Sequence, residues 1–333
     1  MNPKDNSNTA PIISVVMATF NGERFISEAI QSILDQTFKD FEFIIVDDGS
    51  TDNTAQVIHS FKDHRIIYVK KEINSGIADS LNAGIAKAKG KYIARMDDDD
   101  VSMPMRFEKQ LRVLENDPNI IFCGTIAQDH SGKPIVSPEH HDDILLRLFF
   151  FRNPIFHPTA LIRKSILLKH KYRPEMVPAE DHDLWSRLLF QGRFYQIQEP
   201  LLYVRLHQTS ITARRRQEQL QHNVSISKFV HHKVGFKPLK NHDEHIRIMA
   251  SHDYSIHGIE LRRLIKWIKN LKKVNKKIGK FPKEKFNIVA NECLKRFITS
   301  YFTSNKITKK AVSFLYLTNV YKIYIIKLYS NKL

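Results

Sequence analysis

The chain has 333 residues, 42% of them hydrophobic and 26% charged, which suits a folded protein with one large domain and a smaller one. Two cysteines, Cys123 and Cys293, exclude a disulfide framework and fit a reducing compartment. The net charge of +17 is unevenly spread, because residues 214–333 hold 27 Lys and Arg against 7 Asp and Glu while 1–213 hold 25 against 28.

The first predicted element is a buried strand, Ile12 to Met17, a continuous apolar run rich in β-branched residues. After the turn Ala18-Thr19-Phe20-Asn21-Gly22, a helix is predicted over 24–34, with Phe25, Ile26, Ala29, Ile30, Ile33 and Leu34 on one face. A second buried strand, 41–46, ends in Asp47-Asp48-Gly49-Ser50-Thr51-Asp52. A helix over 53–61, a strand over 65–70, a Gly-bearing loop at 74–76 and a helix over 78–88 follow. The next strand, KYIARM, runs into Asp97, Asp98, Asp99 and Asp100. A helix over 106–115 and a strand over 120–127 lead to an irregular stretch, 128–158, with several prolines. Pro158 to Ile162 suggests a further strand, Glu180 to Phe190 a helix with acids in its first turn, and 195–206 an extended segment. Strands alternating with helices indicate βαβ units and an α/β fold built on a mostly parallel sheet. From 214 onward the pattern becomes long basic helices, roughly 215–232, 243–256, 259–275, 283–303 and 307–328. The charge and this change of pattern predict domains over 1–213 and 214–333.

Four adjacent carboxylates repel one another unless a cation or N–H donors compensate, and hard oxygen ligands suit Mn²⁺ or Mg²⁺ held with a phosphate substrate. On an extended backbone Asp97 and Asp99 would point one way, Asp98 and Asp100 the other. Open α/β sheets bind ligands where strands end, and Asp48 stands at another such end. Phe20 is placed to stack on a flat ring beside these acids, or it is a core aromatic. Asp48 either reads a nucleobase or caps the following turn.

The motifs VVMATFNGERF, FEFIIVDDGSTDNT, NSGIADSLNAGIAKAKGKYIARMDDDD, NPIFHPTALIRKS and AEDHDLW occur in this order over about residues 11–210. In these the chain resembles the family 2 inverting glycosyltransferases of GT-A (Rossmann-like) fold, of the bacterial surface-polysaccharide type. The resemblance implies transfer of a hexose or N-acetylhexosamine from a UDP-sugar to a glycan or lipid-linked acceptor. It places Ala18, Thr19, Phe20, Glu23, Asp48, Asp97 and Asp98 on the nucleotide-sugar side. Asp97 and Asp99 match the family's Asp-x-Asp metal motif, with Asp99 the direct ligand, and Asp181 of the Glu180-Asp181 pair matches the general base. Glu180, His157, Arg205 and His207 fall on the acceptor and diphosphate side, although a lone histidine such as His157 or His207 is more often a packing or hydrogen-bonding residue. Asp98 departs from the family, where that position is usually small or apolar. Asn82 and Gly84 read as structural.

Two other readings remain. A sugar-phosphate nucleotidyltransferase would need a Gly-rich basic loop after the first strand, where ATFNGERF offers one Gly and one Arg. A non-catalytic membrane scaffold is disfavoured by the acids standing at every motif position. The basic C-terminal region carries no nucleic-acid recognition pattern; its lysines are either a solvated face or, the favoured reading, a docking surface for the anionic membrane, with the aromatic face of 311–329 at the interface. No window reaches the roughly 18 continuous apolar residues of a spanning helix, and no basic-then-apolar leader opens the chain. The expected location is cytoplasmic, peripheral on the inner face of the plasma membrane.

Overall fold

The computed structural model describes residues 10–150, 153–205, 215–239, 241–250 and 258–304, which fall into two compact units, one ending at Lys237 and one beginning at Pro238. The first unit is organised by strands β1 (Ile13–Thr19), β2 (Phe41–Asp47), β3 (Ile66–Lys70) and β4 (Tyr92–Met96), all parallel. Every residue of β2 and β4 is buried, which is why these runs are mostly apolar rather than alternating, with Glu42, Asp47 and Arg95 as their buried charged members. Helices α1 (Ile26–Leu34), α2 (Thr54–Ser60) and α3 (Ile77–Lys87) make the crossovers. Thr19 pairs with Asp47 and Met17 with Met96, so β1, β2 and β4 end at one edge of the sheet.

The second half of the sheet holds β5 (Val101–Ser102), β6 (Ile120–Gln128), β7 (Pro134–Ile135), β8 (Leu161–Arg163) and β9 (Arg193–Tyr203). The strand order is β3-β2-β1-β4-β8-β6-β9-β5, with β7 on β6. β8 lies antiparallel between β4 and β6, and β9 runs parallel to β6. Pro158, expected inside a strand, instead sits in a 3-10 turn, His157–Thr159, before β8; it has no N–H to give a ladder. The stretch read as irregular contains a helix, α5 (His141–Phe149), which buries Ile144, Leu145, Leu148 and Phe149. Helices α4 (Arg106–Asn116), α6 (Lys164–Lys169) and α7 (Glu180–Leu188) complete the layers.

The helix α8 (Arg216–Lys233) belongs to this first unit, although charge assigned it to the C-terminal region. Gln219 donates to the Pro178 carbonyl at 3.1 Å, and Asn223 Oδ1 lies 2.8 Å from His182 Nδ1. His231 stacks on Phe149 at 4.0 Å and bonds its carbonyl at 2.9 Å. Packing therefore moves the boundary from 213/214 to 237/238, because these side chains dock on α7 and α5 whatever the helix's net charge. The second unit holds α9 (His242–Ala250), α10 (Gly258–Ile278) and α11 (Lys283–Ser304). Asn275 exchanges two hydrogen bonds with the Phe281 backbone, at 2.9 and 3.1 Å, and so closes the α10–α11 turn. No helix among the described residues is long and apolar enough to cross a membrane. The predicted helix 307–328 lies outside the described residues.

Gly84 lets α3 lie directly on the sheet. A Cβ there would stand 2.6 Å from Val16 Cγ1 and 3.2 Å from Val46 Cγ2, against branched side chains that have nowhere to go. Gly84→Ala is expected to lower the unfolding free energy by about 1–3 kcal/mol, despite Ala's better helix propensity, as read by urea denaturation.

Candidate active site

The backbone leaves its extended path after Met96, and the four acids occupy a turn. The alternation expected of a strand therefore does not hold there. Carboxylate oxygens of Asp97, Asp99 and Asp100 come within 4.8 Å of one another, while Asp98 points elsewhere and accepts from Thr19 Oγ1 at 2.5 Å. Asp98 faces away from Asp97 and Asp99 as expected, whereas Asp100, expected to face away with it, joins the cluster, a correction that follows from the turn. Gly22 abuts the Thr19–Asp98 pair: a Cβ there would lie 2.5 Å from Asp98 Oδ2 and 2.6 Å from Thr19 Oγ1. In the sequence Gly22 reads only as part of a turn, and Asp100 stands apart from Asp97 and Asp99.

Buried cations offset the acids. Arg95, 4% exposed on β4, forms an ion pair with Asp97. Arg106, fully buried at the start of α4, donates to the Pro158 carbonyl and packs its guanidinium within 3.4 Å of the Arg95 carbonyl. Burial pushes the Asp98 carboxyl up to about 7, and it raises Asp97 and Asp100 as well, with Asp99 adding like charge to both. Three converging carboxylate oxygens, hard ligands, fit a divalent cation such as Mn²⁺ or Mg²⁺.

Arg205 is not turned toward this cluster with its charge free. Its N–H donates to Asp100 Oδ1 and its Nε to the Asp99 carbonyl, both at 3.0 Å. The guanidinium then reaches Glu28 at 2.6 Å, lying 4.4 Å over the Phe25 ring. It ties the end of β9 to the acidic turn, and closure over a leaving group does not follow from this placement. His207 lies outside the described residues.

At the neighbouring strand ends, Phe20 is 46% exposed and presents a free ring face, with Ala18 partly exposed beside the buried Thr19. Asp48 is 3% exposed and spends both oxygens on the chain. It accepts from Ser75 N–H at 3.0 Å and Gly76 N–H at 2.8 Å, and pairs with Lys71 at 2.9 Å. Asp48 therefore does not cap the turn that follows it, where Asp47 accepts from the Ser50 N–H at 2.8 Å; it fixes the 74–76 loop ahead of α3. The Glu23 carboxylate is likewise engaged, by the N–H and side-chain amide of Asn53, each at 2.9 Å.

The second acidic group opens α7. Asp181 Oδ2 accepts from Asn153 at 2.8 Å and Oδ1 from the His182 N–H at 2.6 Å. Its carboxyl is nevertheless raised, burial outweighing these donors. Glu180, 8% exposed, is pushed up to about 7 by burial and by Asp181, and its Oε2 has no hydrogen-bond partner among the described residues. The charge of Asp181 also raises Asp97, so the two acidic groups stand within electrostatic reach. His157, expected to face substrate, is instead buried, 2.6 Å from the Tyr172 hydroxyl and edge-on to Trp185. Burial holds it well below the ordinary histidine range, so it is a neutral packing residue. Asn82 fixes Tyr172 in turn, bonding its N–H at 3.0 Å and its carbonyl at 2.9 Å.

The parallel half-sheet thus ends in an acidic turn after β4, and a carboxylate pair opens α7. The Glycosyl transferase family 2 profile matches residues 14–170. An uncharacterized glycosyltransferase of Methanocaldococcus jannaschii is 37% identical over 206 residues, 59% of this chain and 71% of its own. The O-antigen biosynthesis glycosyltransferase WbnJ of Escherichia coli is 34% identical over 209 residues, 60% of this chain and 81% of its own. Among solved structures, S. aureus TarS residues 1–349 in complex with UDP-GlcNAc shares the fold at a TM-score of 0.60 and 15% identity, over 89% of this chain and 92% of that one. The chain belongs to glycosyl transferase family 2, and it is a glycosyltransferase.

Because folding raises the Glu180 carboxyl above its ordinary 4.5 to about 7, the folded state holds a proton that the unfolded chain releases. Stability from this group is therefore present at low pH and is lost as pH rises from about 4.5 to about 7. Glu180→Gln is expected to flatten that slope, so that thermal melts at about pH 5 and about pH 8 differ less than in wild type.

Proposed function

We propose that the protein is a metal-dependent, inverting glycosyltransferase that moves a hexose or N-acetylhexosamine from a UDP-sugar to a glycan or lipid-linked acceptor in surface-polysaccharide assembly. The observation that carries this reading is the convergence of Asp97, Asp99 and Asp100 within electrostatic reach of Asp181. The O-antigen role of the E. coli relative supports the acceptor class, and the UDP-GlcNAc bound to TarS supports the donor class.

Phe20 stacks on the nucleobase, and the Ala18 and Thr19 backbone lines the donor beside it. Asp48 contributes by fixing the 74–76 loop rather than by a free carboxylate. Asp97, Asp99 and Asp100 would hold Mn²⁺ or Mg²⁺, which when bound neutralises charge on the diphosphate. Asp181 accepts the proton of the acceptor hydroxyl as that oxygen bonds to the anomeric carbon, while the bond from that carbon to the UDP oxygen breaks on the opposite face. A single displacement of this kind inverts the centre. The raised carboxyl of Asp181 suits a base, since its proton affinity is brought closer to neutrality. Asn153 and the His182 N–H hold it in one orientation. Glu180 lies beside it on the acceptor side.

Asp181→Asn is expected to cut transfer by about 10²–10⁴-fold while calorimetric UDP affinity stays near wild type. Retained turnover would refute the base assignment. UDP release from a panel of UDP-sugars should vanish with EDTA and return with Mn²⁺, and Asp99→Asn should weaken Mn²⁺ binding measured by titration without substrate.

A further inference from the structure

Helix α10 buries Leu261, Leu264, Trp267, Ile268 and Leu271 along one side. At about 100° per residue, Arg262, Lys266, Lys269, Lys273 and Lys276 fall within an arc of about 80° on the other. Four of these five are exposed and Lys269 is partly so. Lys272, next to the arc, is turned aside to donate to Asn291 at 2.6 Å, and Arg263 reaches Glu244 at 3.8 Å. Among the described residues, none of the five ridge cations takes part in a salt bridge. Glu260 is the only acid in the helix.

Like charges three and four residues apart repel along a helix, and a face that served solubility alone would alternate signs. Here the repulsion is left uncompensated along a straight ridge of about 21 Å. A line of cations of that length matches a plane of negative charge. The ridge offers no exposed aromatic ring on which a base could stack, since Trp267 is 2% exposed, which separates it from single-strand nucleic-acid grooves.

We infer that this face of α10 is a docking surface for an anionic phospholipid bilayer, its lysines seated among the headgroup phosphates. Each cation near such a surface contributes about fivefold in partitioning, and the attraction fades beyond about 8 Å at physiological salt. The inference goes beyond glycosyl transfer and is separable from it.

The test is flotation of the full chain with vesicles of phosphatidylglycerol and phosphatidylcholine, against pure phosphatidylcholine. Wild type should float with the anionic vesicles alone and be released by about 0.5 M salt. The variant K266E/K269E/K273E/K276E, with its helix content checked by circular dichroism, should lose at least about a hundredfold in partitioning. Its UDP release should match wild type, so failure of docking and failure of the enzymatic reading are distinguishable. The milder K266Q/K269Q/K273Q/K276Q variant, which adds no acids, should show an intermediate loss. Flotation unchanged by these substitutions, equal binding to neutral vesicles, no binding at all, or preferential capture by a single-stranded oligonucleotide would each overturn the inference.

Discussion

Four carboxylates in one turn are the constraint that the first unit is built to satisfy. Left to themselves they would repel and unfold the end of β4. The protein instead places Arg95 beneath them, gives Asp98 a hydroxyl partner in Thr19, and gives Asp100 a backbone donor from Arg205. Compensation is incomplete, and burial leaves the clustered carboxyls with raised proton affinity. A site that keeps residual negative charge is selective for a cation, and three converging oxygens give that charge a shape. Stability and cation affinity are thus set by the same balance.

The supports of this turn come from distant parts of the chain. Thr19 arrives from β1, Arg205 from the end of β9 and Arg106 from α4, with Pro158 bonded behind it. The other acidic group is supported similarly, since Asn153 and the His182 backbone hold Asp181 while α8 braces His182 and the Pro178 carbonyl. A helix lacking any acid of the site thereby belongs to the unit that contains it.

The parallel half of the sheet was legible because β1, β2 and β4 are buried, mostly apolar runs that alternate with amphipathic helices. The acidic turn and the Glu180-Asp181 pair were legible as motifs. What a one-dimensional reading missed was set by tertiary partners. Asp100 was set apart from Asp97 and Asp99 only while the backbone was taken as extended, and Arg205 was placed on the diphosphate side only while Glu28, 177 residues away, was out of view. For His157 two readings stood open, and the Tyr172 hydroxyl, which nothing local announces, decides for packing. Helix α5 hid between prolines, although Asp142 and Asp143 followed by Ile144, Leu145, Leu148 and Phe149 carry a helical start and face. Charge misplaced α8 because net charge records solvent exposure, whereas the unit boundary records packing.

The loop that follows β1 is stitched to the one that follows β2. Asn21 accepts from Thr51 at 2.8 Å, Gly22 donates to Thr54 at 2.8 Å, and Glu23 is clasped by Asn53. Phe20 rides on this laced segment, so its ring is held out to solvent by backbone already in place before any nucleotide arrives. Little conformational entropy is left to surrender there on binding, and an aromatic face presented in advance favours rapid capture of a flat ring over slow rearrangement around it.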